Sequence, residues 1–260
     1  MRIKFEGAEA DDHRLEAYEG IKSLEGLIRV ARIATHYAAT GEVRFRAPYS
    51  SLLEAQISQI RNGSFEMLFD YASRMVDQVA SSQAKTKAEA LFNFLVKRGT
   101  GQVEGEDLHV EGITIPSGDI AAMAEASESA LKSAHRWIDQ DDKTISVIDG
   151  DESTQLNTGT KEYVEEEIIG PEDIRDVSVA AMNVNSRNGR VYLFDEYRTV
   201  PFYVHKEARP RTVRNLSRFL PKYADKTGET VSIRYRPIRH IDGRIKRLII
   251  FDCADVRDVA

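Results

Sequence analysis

The chain has 260 residues, of which 42% are hydrophobic and 30% charged, and its formal net charge is −6. That is enough apolar material for one large domain or two modest ones, and it excludes a disordered or low-complexity chain. No apolar run approaches the roughly 20 residues that a membrane-spanning helix requires, so no membrane partner is expected.

Residues Arg2–Gly7 alternate Ile3 and Phe5 with polar side chains, which predicts a short strand. This opening has no apolar stretch of the secretory type, and a cytoplasmic location is expected. Asp11 and Asp12 are placed to cap the helix that follows. Leu15, Tyr18, Ile21, Leu24, Ile28, Ala31, Thr35 and Ala38 then recur at spacings of three and four. They predict one long amphipathic helix with that stripe turned to the core and with Gly41 as its stop. Lys22, Glu25, Arg29, Arg32 and His36 form a second, polar stripe on it, which suits either solvent or an anion. Strands are expected at Glu42–Ala47, Leu52–Ile60 and Ser64–Phe69. The last two flank Asn62-Gly63, a pair that tolerates the positive φ of a two-residue hairpin turn. Such a turn sets Ile60 opposite Phe65 and Ser58 opposite Met67. A long helix followed by Arg61-Asn62-Gly63-Ser64-Phe65-Glu66 resembles uncharacterised bacterial and phage-associated proteins, a resemblance that implies no activity.

Helical spacing returns over Tyr71–Arg98, with Gly99 as the stop. Gly99–Gly112 reads as a loop. Pro116-Ser117 opens an alanine-rich helix to Trp137, with Ser117 as N-cap. A strand at Lys143–Asp149, polar turns at Asp149–Gly159 and an acidic helix at Lys161–Ile168 complete the first part. Here the charge balance reverses. Residues 1–170 hold 18 Lys and Arg against 30 Asp and Glu, a net of −12, and residues 171–260 hold 18 against 12, a net of +6. We therefore expect an acidic domain over 1–170 and a basic domain over 171–260, divided at Gly170-Pro171.

The second part predicts strands at Val177–Asn185, Arg190–Tyr197 and Thr199–His205, a helix at Arg211–Lys222, and strands at Val231–His240 and Arg244–Asp252. Asn188-Gly189 and Asp242-Gly243 supply hairpin turns. The order β-β-β-α-β-β resembles the oligonucleotide/oligosaccharide-binding fold, and an SH3-like barrel gives a similar string. The expected fold class is therefore α+β, an N-terminal helix-and-sheet domain followed by a small OB-like or SH3-like β-barrel.

Enzyme signatures are poor. No phosphate-binding glycine loop, His-Glu-x-x-His pair or nucleophile elbow is present, so no cofactor is expected. The six histidines lack ligand spacing, and Asp149-Gly150-Asp151-Glu152 lacks the distal glutamate of a calcium loop. A lone cysteine, Cys253, forms no internal disulfide and reads as a buried inert thiol. Two-residue turns in the basic domain would set Arg187 opposite Arg190, Asn185 opposite Tyr192, Arg239 opposite Lys246 and Ile233 opposite Asp252. Val231, Ile233, Tyr235, Leu248 and Ile250 would share the core face. Like charges directly opposed across strands cost up to about 1 kcal/mol each, which an anionic partner would offset.

Arg187, Arg190, Arg234, Arg236, Arg239, Lys246 and Arg247, interleaved with Tyr192 and Phe251, are thus the candidate ligand-binding residues: cations for phosphate and rings for stacking. The expected function is a non-catalytic binding protein for a nucleotide-type anion, either single-stranded nucleic acid or a small cyclic or linear nucleotide. Long duplexes, with about one charge per 1.7 Å, would be repelled by the acidic domain. The alternatives are an interaction or scaffold module, including a homo-oligomer, and a metal-dependent nuclease or phosphodiesterase.

Overall fold

The computed structural model describes residues 1–61, 65–103, 108–110, 112–225 and 227–254. The chain divides into two compact units, Met1–Glu165 and Glu166–Ala260. The break lies a few residues before Gly170-Pro171, because the first strand of the second unit already begins at Ile168.

The first unit runs β1 (Arg2–Glu6), α1 (Ala17–Thr40), β2 (Leu53–Arg61), β3 (Phe65–Ser73), α2 (Gln78–Gly99), β4 (Leu108–Val110), β5 (Ile113–Ile115), α3 (Ser117–Ala134), β6 (Thr144–Asp149), β7 (Glu152–Leu156) and α4 (Thr158–Glu165). Strands β2-β3-β1-β6-β7 form one five-stranded sheet, antiparallel throughout. Alternation places Ile3 and Phe5 of β1, Met67 and Phe69 of β3, and Ile145 and Val147 of β6 in the core. They join Leu27, Val30 and Ala34 of α1, Leu91, Phe92 and Leu95 of α2, and Ile120, Met123 and Leu131 of α3. His135 is fully buried there, with its ring nitrogens at 2.8 Å from Leu131 O and 2.9 Å from Thr160 Oγ1. Burial holds its pKa down to about 4, so it is neutral.

Several expectations are corrected in this unit. The stripe read on α1 is met in part: Ala31 and Thr35 are buried and Leu15, Leu24, Ile28 and Ala38 pack against the core, but Tyr18 and Ile21 are each 61% exposed, and the buried face extends to Ser23, Gly26, Leu27, Val30, Ala34 and Tyr37. Small residues, not large ones, mark the contact with α3. A Cβ on Gly26 would lie 2.4 Å from Ala130 O and 2.5 Å from Ala134 N, and Ser23 Oγ accepts the Trp137 N–H at 2.9 Å. The α1 cap is Glu16, which accepts the N–H groups of Tyr18 and Glu19, while Asp11 binds the Gly7 N–H. Residues 42–52 form an irregular loop instead of a first strand, since residues 44–48 are all exposed and present no face to bury. β3 continues through Tyr71, so α2 begins only after Asp77, whose side chain caps it. Ser117 is the first helical residue of α3 and Pro116 its cap position. The polar stretch after Gly150 contains β7, an edge strand whose Thr154 and Leu156 point inward. The Asn62-Gly63 turn lies outside the described residues. Near it Ile60 pairs with Met67, two positions from the register of a two-residue turn.

The second unit runs β8 (Ile168–Ile169), β9 (Asp173–Asn183), β10 (Asn188–Leu193), β11 (Arg198–Val204), α5 (Pro210–Ala224), β12 (Val231–Arg239) and β13 (Ile245–Ala254). The pairings β9-β10-β11-β13-β12-β9 close a five-stranded barrel in which β11 and β13 are parallel and every other pair antiparallel. β8 lies on β12 in line with β9, with Ile169 opposite Ile238 and Asp173 opposite Tyr235. Val177, Val179, Val191, Leu193, Val200, Phe202, Val231, Ile233, Tyr235, Leu248 and Ile250 fill the barrel, joined by Leu216 of α5 and the Cys253 thiol. The core face expected for β12 and β13 is the observed one.

The close approach at Gly26 gives a sign-specific expectation. In an exposed helix Gly→Ala stabilises by roughly 1 kcal/mol. Gly26→Ala should instead destabilise the first unit, by about 1–3 kcal/mol, because the methyl meets backbone that cannot step aside. Urea unfolding of the full chain checks this, and an unchanged or raised midpoint for the first unit would contradict it.

Candidate functional site

The register of the barrel decides which cations face each other. Asn188-Gly189 is not a turn but the start of β10, with Asn188 opposite Asn183 and Gly189 opposite Met182. A Cβ on Gly189 would fall 2.1 Å from Ala181 O and 2.8 Å from the Phe202 ring, so the glycine serves close packing inside the barrel. The chain reverses over residues 184–187, where Asn183 Oδ1 accepts the N–H groups of Asn185 and Ser186 at 3.1 Å. Arg187 takes the left-handed position, φ 56°. Arg190 consequently sits opposite Ala181 and Tyr192 opposite Ser178, and neither expected partner is met.

At the other tip Tyr235 faces Ile250, and bulges shift the pairing on either side. Ile233 faces Cys253, and Arg239 faces Ile245. Lys246 is the extra residue of a bulge and turns inward. Both like-charge pairs read from the sequence are therefore absent, because a longer turn and a bulge each moved one member out of register.

Most of the nine candidate residues have structural partners. Arg187 donates to the carbonyls of His205 at 2.9 Å and of Lys206 and Ala208 at 3.4 Å, clamping the loop after β11. Arg190 donates to Thr199 O at 2.9 Å and to its hydroxyl at 3.1 Å. Arg239 donates to Gly243 O at 2.7 Å. Arg234 pairs with Glu172 at 2.8 Å. The Lys246 side chain is only 2% exposed and meets Glu167 at 2.7 Å, with Arg247 at 3.9 Å from the same oxygen. Tyr192 packs edge-on against Phe194.

Three of the nine gather at one end of the barrel. Arg236 lies 5.7 Å from the centroid of the Phe251 ring, and the same ring stands 4.8 Å from the His205 ring, tilted by 36°. Parallel pairing produces this meeting: Val204 lies opposite Ile250, and the His205 N–H continues the ladder to Ile250 O at 2.8 Å. Beside the rings is an open cleft of about 370 Å³ lined by Ser186, Arg187, Tyr203, Val204, His205 and Lys206. Tyr203 is 37% exposed. Lys206 and Arg209 are exposed and, among the described residues, make no ion pair. Asp252 occupies the start of α5. Burial pushes its carboxyl pKa up, but hydrogen bonds from the Cys253 N–H and the Thr212 hydroxyl, with the charges of Arg211 and Arg209, leave it below the ordinary value. The sequence reading missed Tyr203, His205, Lys206 and Arg209. Their signal was the short stretch between a strand and Pro210, the helix-opening proline.

The acidic turn of the first unit is engaged by α2. Asp149 accepts from Asn93 at 2.9 Å and Glu152 pairs with Lys97 at 2.7 Å. Among the described residues no group of three His, Cys, Asp or Glu is arranged to hold a metal ion, and no helix is long and apolar enough to cross a membrane.

Fold and surface together define an α+β chain whose second unit is a five-stranded mixed barrel. Residues 1–165 match the Domain of unknown function DUF7946, and the chain belongs to that family. Residues 172–254 match the Family of unknown function DUF7947. No curated protein and no solved structure matches the chain.

The Lys246–Glu167 pair separates structural from surface charge. Glu167→Gln removes the carboxylate that lies 2.7 Å from a buried ammonium and should cost about 2 kcal/mol, less than a fully buried pair because Glu167 is partly exposed. Arg234→Ala, which removes an exposed pair, should cost under about 1 kcal/mol. Thermal unfolding of both variants at neutral pH checks the order; equal shifts would contradict it.

Proposed function

We propose that the chain is a non-catalytic binding protein for a nucleotide-type anion, single-stranded nucleic acid or a small nucleotide, held on the outer face of the barrel. One observation supports this most: Lys206 and Arg209 are exposed, make no ion pair among the described residues, although the charge of Arg209 acts on Asp252, and stand in the loop between the Tyr203 cleft and α5, with Arg236 over Phe251 against His205. Exposed cations neutralise phosphate, and rings beside them supply the stacking that every base accepts. The strand order and the helix between the third and fourth barrel strands resemble those of the oligonucleotide/oligosaccharide-binding fold, whose ligands lie on the second and third strands and on the loops joining strands one to two and four to five. The cleft adjoins the first of these loops and the end of the third strand.

A protein-interaction reading is favoured by a different feature. Ile168, Ile169 and Ile174, exposed by 47%, 58% and 67%, lie on or beside the edge of β12. Self-association measured by light scattering, with no nucleotide binding, would favour it.

Fluorescence anisotropy with labelled oligothymidylate and a panel of cyclic dinucleotides tests the proposal at two salt concentrations. Wild type should bind at least one probe at micromolar concentration, more weakly in salt. Lys206→Ala with Arg236→Ala should lower the log–log salt slope for oligothymidylate by about 0.7 per lost phosphate contact. Phe251→Ala should weaken binding about tenfold or more through lost stacking. No binding of any probe by the wild type, or unaltered binding by both variants, would sink the proposal.

A further inference from the structure

We infer that the first unit carries a second anion-binding surface, formed by Arg29, Arg32, Arg44 and Arg46 beside Phe45 and Tyr49, and that its ligand is a single nucleic-acid strand. This rests on no feature of the barrel. α1 presents Arg29 and Arg32 one turn apart near its C-terminal half. Gly41 ends the helix at φ 73°, and the chain returns past it: the Ser50 N–H donates to His36 Nδ1 at 2.9 Å, and the Tyr49 ring lies 6.0 Å from the His36 ring. Arg32 stands over Tyr49 at 5.1 Å. Burial lowers the His36 pKa, and the nearby charge of Arg44 lowers it further while Glu42 opposes both.

Four arginines thus gather on a surface where Glu25 and Glu42 act only at a distance. Among the described residues none of the four arginines makes an ion pair; Arg29 donates to the Ser129 hydroxyl at 3.1 Å, and Arg44 and Arg46 are exposed. This occurs within a segment, residues 1–170, whose net charge is −12, and the carboxylates whose charge is felt here are Glu25 near Arg29 and Glu42 near His36. The charge of the patch is carried by guanidinium groups, and guanidinium is the side chain that matches phosphate with two parallel bonds. Phe45 identifies the ligand class further. It is 43% exposed and lies in sequence between Arg44 and Arg46, so stacking and phosphate contact are offered together. Inorganic phosphate would leave that ring unused, and an acidic peptide gains no stacking from it. The absence of regular structure over residues 42–52 follows the same logic: the loop exposes its side chains instead of burying alternate ones.

Ultraviolet cross-linking of the full-length protein to oligothymidylate, read by mass spectrometry of the peptides, tests this. Cross-links are expected within residues 41–52. Arg44→Ala with Arg46→Ala should remove them and lower the salt slope of binding by about 1.4, for two lost contacts. Phe45→Ala should remove them with the slope kept. Arg44→Lys with Arg46→Lys, which keeps the charge, should retain the slope, so that misfolding of an alanine variant is recognised. The Lys206→Ala, Arg236→Ala variant should leave these cross-links in place. Binding of the oligonucleotide with cross-links only in the barrel would overturn the inference while leaving the barrel proposal intact. Displacement of the oligonucleotide by polyglutamate at equal charge would overturn the ligand class.

Discussion

The second unit depends on one pairing, the parallel ladder that joins Phe202–Val204 of β11 to Leu248–Ile250 of β13. Without it the strands form an open antiparallel sheet; with it the barrel closes. Parallel neighbours cannot be connected by a hairpin, so the chain needs a crossover, and α5 is part of that crossover. The crossover must leave at the C-terminal end of β11 and lie against the C-terminal end of β13. That is why Thr212 and Arg211 meet Asp252, and why His205 meets Phe251. The surface we assign to binding is therefore a by-product of closing the barrel, and its rings are held in place by backbone ladder bonds instead of by a flexible loop.

Closure also sorts the cations. Strands with alternating side chains must send some charged groups toward their neighbours, and those groups take structural work. Arg187 fastens the loop after β11, Arg190 and Arg239 satisfy carbonyls near the strand ends, and Lys246 is buried against Glu167. These contacts are hydrogen bonds to groups that would otherwise lose their water. Among the described residues Lys206, Arg209 and Arg236 make no ion pair, though the charge of Arg209 acts on Asp252. In the first unit the same sorting leaves Arg44 and Arg46 beside an exposed ring while other basic groups, such as Lys97 and Arg136, pair with acids. An acidic chain with two local arginine and lysine clusters differs from one with a diffuse basic surface: its attraction for anions is local, which suits a short or single-stranded ligand better than a duplex.

Much of the fold was legible from periodicity. The five barrel strands, the intervening helix and the inward set Val231, Ile233, Tyr235, Leu248 and Ile250 follow from alternation and hairpin dipeptides. What could not be read was register. A single bulged residue moves a side chain by one position, and nothing in the local sequence marks Lys246 as the bulge. Asn188-Gly189 misled because glycine answers two different needs, positive φ and close packing, and here it answers the second. The same ambiguity hid part of the α1 core face: Gly26 and Ser23 make close contacts there, while Tyr18 and Ile21 of the apolar stripe lie exposed. Tyr203, His205 and Lys206 were invisible as a site because their meeting with Phe251 depends on a long-range parallel pairing.

The central claim is that the ligand lies at the His205–Phe251 end of the barrel and not at the Asp242-Gly243 tip, where the sequence had also placed basic residues. Hydrogen exchange of the full chain with and without saturating oligothymidylate measures this most directly. The account predicts slower exchange over residues 203–209 and at the strand positions around Arg236 and Phe251, with residues 239–247 unchanged. Slowing confined to residues 239–247 would contradict it.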